Sequence, residues 1–171
     1  MNSTPIAPST PDVHHETSLA HFPVALFSTV MGIAGLALAW QKAAHVLGWS
    51  GLVGQGLAAL AGLVFLVVAG FYGAKLLRHW AAARAEAAHP VKMNFVPAIS
   101  IGILLLATAW GRMAPEVASW MWGLGAALHL VFTLRTMSAW IHHTHFEIQH
   151  LNPAWFIPVV GNIIVPLAGV R

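Results

Sequence analysis

Apolar residues run along this chain in five blocks separated by short polar stretches. Phe22 to Trp40 carries no charge and opens with Pro23, at a helix-start position where a missing N–H does no harm. Gly51 to Ala74 is the second uncharged run, closed by Lys75 and Arg78. Phe95 to Trp110 is shorter, and Asn94 and Gly111 bring it near the ~20 residues a span needs. The fourth block runs from about Val117 to Ile141, with Arg135 in its last turns; the fifth, Ala154 to Val170, precedes Arg171. None shows the period-2 alternation of a barrel strand. Lipid offers backbone groups no partners, so each block is expected to be a helix.

The pattern predicts an all-α integral membrane protein. Five transmembrane helices are expected at about 22–41, 51–77, 94–111, 117–141 and 153–170, as two hairpins plus one arm. Residues 1–20 hold three prolines, several Ser and Thr and no Lys or Arg, and read as a disordered cytoplasmic tail before a transmembrane domain over 21–171. The tail lacks the positive n-region and apolar stretch of a secretory signal.

Composition agrees. Of 171 residues, 58% are apolar and 8% charged, where soluble domains devote about a quarter to charge. The net charge of +3 comes from eight Lys and Arg scattered between apolar blocks, without the clustered basic face that nucleic acid requires. The absence of cysteine removes disulfides, thiolate nucleophiles and Cys-ligated metals. Lys75, Arg78, Arg84 and Lys92 follow the second block against Glu86, while the loops on the other side hold Lys42, Arg112 and Glu116. The positive-inside rule then places the second loop and the N-terminus in the cytoplasm.

Small residues at Ala25, Ser28, Gly32, Gly35 and Ala39 share one face of the first helix. They suit close helix packing or a narrow pore wall. Gly51, Gly54, Ala58 and Ala61 on the second helix carry the same two readings. On the fifth, Pro158, Asn162 and Pro166 lie at i, i+4 and i+8, where each proline frees the carbonyl four residues earlier. Pro97, Ser100, Leu104 and Ala107 repeat the theme more weakly on the third.

His142, His143, His145 and His150 with Glu147 match no strong zinc spacing and read as interfacial solvation. His129 lies deep in the fourth helix, without an obvious histidine mate for haem. No catalytic constellation is visible, so neither an enzyme, a cofactor nor a metal is expected.

Three strings then carry a resemblance: HFPVALFSTVMGIAGLALAW (His21 to Trp40), HPVKMNFVPAISIGILLLATAW (His89 to Trp110) and HLNPAWFIPVVGNIIVPLAG (His150 to Gly169). They resemble the tellurite-resistance/dicarboxylate transporter family, which includes bacterial tellurite-resistance proteins and the plant slow-type anion channels. The resemblance implies ten helices in five hairpins around a central pore lined by the odd-numbered helices, assembled as a homotrimer. On this chain it implies the N-terminal half of that fold, apparently truncated, without the ninth helix on which the family carries its aromatic gate. It also implies Ser28, Met31, Gly32, Gly35, Pro97, Ser100, Pro158, Gly161, Asn162 and Pro166 as pore-lining residues. Transport of small inorganic or organic anions is the expected function, with the lipid bilayer as the other partner. A haem-binding or redox membrane subunit and a non-conducting structural membrane protein are the alternatives.

Overall fold

The computed structural model describes residues 18–142 and 153–169. Six α-helices carry nearly all of them: α1 (Phe27–Leu47), α2 (Leu52–Arg78), α3 (Trp80–Ala88), α4 (Ala98–Trp110), α5 (Pro115–His142) and α6 (Phe156–Gly169). Short 3-10 turns at Ser18–His21, Val24–Leu26, Lys92–Phe95 and Pro153–Trp155 lead into α1, α4 and α6. The expected tail lies mostly outside the described residues; its last part, from Ser18, is a 3-10 turn. Four spans, Val24–Leu47, Leu52–Arg78, Lys92–Trp110 and Pro115–His142, are long and apolar enough to cross a membrane, and Pro153–Leu167 is a shorter apolar helix.

Two boundaries differ from the sequence pattern for local reasons. The first helix runs on to Leu47 and stops at Gly48, whose φ of 69° is the left-handed conformation that closes a helix. The loop expected after the second block contains α3, an alanine-rich helix set off from α2 by non-helical backbone at His79 (φ −132°, ψ 49°). Alanine is the best helix former, so propensity accounts for α3 where apolar patterning does not.

The helices pack around α4, the most buried of the spans. α1 pairs with α2, α4 with α5, and α4 also packs on α1 and α6. Every residue from Ile101 to Ala107 is therefore buried. Lipid supplies no hydrophobic drive between helices, so close approach and interhelical hydrogen bonds hold such bundles. Both are visible. A Cβ on Gly62 would lie 2.5 Å from the Trp110 ring, and one on Gly54 2.7 Å from Gln41 Cγ. Gln41 Nε2 donates to Ala109 O (3.1 Å) and Gly54 O (3.4 Å), which ties α1, α2 and α4 together. Trp110 Nε1 donates to Ala58 O (3.0 Å) and Trp122 Nε1 to Val165 O (2.9 Å).

Candidate functional site

The small-residue strips of α1 and α2 part company in the structure. Of the α2 strip, Gly54, Ala58 and Ala61 are buried against α1 and α4 and serve packing, with Gly62 beside them, while Gly51 at the start of the helix is exposed. On α1 the chain buries another face, Phe27, Val30, Ala34 and Ala37. Cβ atoms on Gly32 and Gly35 would meet nothing within 4 Å. That part of the α1 strip is open.

The prolines act differently from the i, i+4, i+8 reading. Pro97 is the N-cap of α4 (φ −61°), and Pro158 falls in the first turn of α6, where a proline N–H would have no partner in any case. Only Pro166 stands inside its helix. The idea that Pro158 frees a carbonyl near Ala154 within a continuous helix is thus corrected, because α6 begins at Phe156.

A polar cluster joins α4, α5 and α6 where α4 and α6 begin. His129, midway along α5, is fully buried. Its Nδ1 lies 3.0 Å from Ser100 Oγ, and its Nε2 lies 3.3 Å from Thr133 Oγ1. Ser100 donates its hydroxyl to Pro97 O at 2.8 Å. It therefore accepts from His129, which assigns the ring proton to Nδ1. Thr133 then holds one hydroxyl proton between two acceptors, His129 Nε2 and Pro158 O, each at 3.3 Å. Asn162 Nδ2 also donates to Pro158 O (3.1 Å). A Cβ on Gly161 would collide with the His129 ring, so only glycine lets α6 approach this closely.

The structure therefore gathers Pro97, Ser100, Pro158 and Gly161 around His129, all of them buried. Met31 packs into the apolar core beside Val30 and Ile101. Ser28 and Gly35 are half-buried, while Gly32, Asn162 and Pro166 are exposed. Sequence reasoning passed over His129 for want of a second histidine. Its partners are hydroxyls, and one of them, Thr133, sits a single turn further along the same helix. Each ring nitrogen has a hydroxyl within 3.3 Å. Among the described residues no group of three or more metal-ligating side chains forms. His143, His145, Glu147 and His150 lie outside the described residues; His142 Nδ1 is 2.8 Å from Ser138 O.

A charged clamp fixes the start of α1. Lys75 Nζ lies 2.7 Å from Glu86 Oε2 with both side chains buried, and donates to Phe22 O (2.8 Å). Glu86 Oε1 accepts from the Val24 N–H (2.9 Å), and Lys75 Nζ is 5.5 Å from the Tyr72 ring centroid. Helix α3 thus serves to return Glu86 to the end of α2.

These features define a helical membrane protein. A family model for the voltage-dependent anion channel matches residues 21–171, and the chain belongs to that family. It is 28% identical over 140 residues to a tellurite resistance protein homolog of Haemophilus influenzae, covering 81% of this chain and 42% of that one. Over 161 residues it is 26% identical to an S-type anion channel of Arabidopsis thaliana, covering 88% of this chain and 25% of that one. Over 89 residues it is 32% identical to an uncharacterized transporter of Methanocaldococcus jannaschii, covering 51% and 26%. The chain spans less than half the length of these relatives. The recognised family contains anion channels and transporters, as expected from the three strings.

Proposed function

We infer that this chain supplies the first three inner helices, α1, α4 and α6, to the wall of a path for small inorganic or organic anions. The observation that carries the reading is the open glycine strip of α1. Gly54 and Gly62 on α2 are filled by neighbouring side chains, whereas Gly32 and Gly35 on α1, like Gly56, Gly70 and Gly73 on the other sides of α2, meet nothing within 4 Å. A missing side chain at membrane depth leaves room for a partly hydrated ion. Exposed Asn162 and Pro166 on α6 add polar backbone and an amide, tolerated at that depth where they border water.

The inner helices carry no Lys or Arg in their middles; Lys42 sits near the end of α1. Such a wall holds anions weakly, and weak binding permits exit as well as entry. Ser28, Met31, Gly35, Pro97, Ser100, Pro158 and Gly161 belong to this reading as the shoulder of the path, and the His129 cluster as the joint that sets its shape. The excess of basic residues around α3 supports a cytoplasmic N-terminus, and the likeness to a Haemophilus influenzae protein supports a bacterial plasma membrane. Assembly of the whole protein as a homotrimer completes the reading.

The test is anion efflux from liposomes containing the protein, compared with its Gly32→Leu variant. A bulkier residue on an open wall lowers the flux without lowering the thermal midpoint. An unchanged flux, measured against active wild-type protein, removes α1 from the wall.

A further inference from the structure

We propose that a groove between α3 and α5 is a binding site for one anionic phospholipid, independent of any anion path. The groove encloses about 550 Å³ and is lined by Arg84 from α3 and Arg135 from α5. Its apolar lining includes Leu76, Val96, Ile99 and Phe132, with Trp80 at the edge. Trp80 is 63% exposed, as befits an indole at the headgroup level.

Three observations together select the occupant. First, both arginines are exposed, and neither joins an ion pair among the described residues, where Lys75–Glu86 is the one described Lys/Arg–carboxylate pair. Two guanidiniums from separate helices line one groove, and arginine binds a phosphate with two parallel N–H bonds. Second, Arg135 lies about two turns inside the end of α5, so it sits below the aqueous surface unless its head reaches outward. An anion at the groove mouth satisfies it in place. Third, the floor is hydrocarbon. A free phosphate has no use for Ile99 and Phe132, whereas an acyl chain does.

The same end of the bundle carries Arg78 and Lys92, exposed but outside this groove. They provide an internal control, because diffuse attraction to an anionic membrane would involve all four cations alike.

The experiment is native mass spectrometry of the purified chain titrated with phosphatidylglycerol or phosphatidylcholine of equal chain length. Wild type is expected to retain a single phosphatidylglycerol in preference to phosphatidylcholine. Each arginine replaced by glutamine lowers that preference about fivefold, and Arg84→Gln with Arg135→Gln lowers it roughly twentyfold or more. Arg78→Gln with Lys92→Gln leaves it unchanged. Arg84→Lys with Arg135→Lys, which keeps the charge and loses the paired N–H geometry, lowers the preference less than the double glutamine change, and Ala139→Trp, which fills the groove with both arginines intact, removes it; these two readouts stand even if the double glutamine variant fails to fold. A preference that survives the double glutamine change, or that falls equally in the Arg78 and Lys92 control, overturns the proposal. So does competition by inorganic phosphate at concentrations matching the lipid, which marks an ion site, and retention of a second copy of the chain in place of lipid.

Discussion

Replacing Glu86 with glutamine isolates the charge in the clamp that anchors α1. Glutamine keeps an oxygen for the Val24 N–H and nearly the same volume, so the change removes little except the negative charge. At 2.7 Å from Lys75 Nζ, and with an effective dielectric of about 20, the pair attracts by about 6 kcal/mol before desolvation is counted. Desolvation of two buried ions offsets much of that gain. Removing one partner, however, leaves Lys75 charged and buried with only Phe22 O and the Tyr72 ring beside it. Such a break costs about 3–5 kcal/mol, a fall of roughly 10 °C in the thermal midpoint for a chain of this size. The assay is a thermal melt of purified protein followed by tryptophan fluorescence, on Glu86→Gln, Lys75→Met and both together. The double variant buries no charge and is expected to recover most of the loss. Additive losses, or a Glu86→Gln midpoint equal to wild type, would refute the reasoning.

Other substitutions separate packed glycines from open ones. Gly62→Ala should lower the melting midpoint, by about 1–3 kcal/mol of overpacking against Trp110, while Gly35→Ala should match or exceed wild type, since alanine favours a helix by up to about 1 kcal/mol. Gly161→Ala should be the most damaging of the three because its Cβ meets the His129 ring; melts of all three give the order. Thr133→Val, which removes the hydroxyl between His129 and Pro158 O, should cost about 1 kcal/mol by the same measurement, the usual size of an interhelical hydrogen bond in a membrane.

The spans were legible because lipid imposes a simple rule. A run of about twenty apolar residues without charge has to be a helix, and Phe22–Trp40 and Gly51–Ala74 could be little else. Helix α3 escaped because its signal is propensity: AAARAEAA has no apolar face to find. Glu86 was counted only as a loop charge. Its burial depends on α3 folding back so that residues eleven apart meet, which no local pattern encodes. The α1 and α2 strips looked alike in sequence, and only what stands opposite them, Gln41 for Gly54 on α2 and nothing for Gly32 on α1, tells them apart. His129 illustrates a further limit. Thr133 one turn on was visible, but Ser100 and the Pro158 carbonyl come from other helices, and their convergence is tertiary.

Aqueous access to the α1 face tests the central claim most directly. The chain contains no cysteine, so Gly32→Cys and Asn162→Cys give single reporters, with Leu63→Cys and Leu130→Cys on exposed faces of α2 and α5 as lipid-facing controls. In liposomes, a water-soluble, membrane-impermeant thiol reagent is predicted to modify the first two and spare the controls. Equal protection of all four sites would contradict a water-lined wall on α1 and α6.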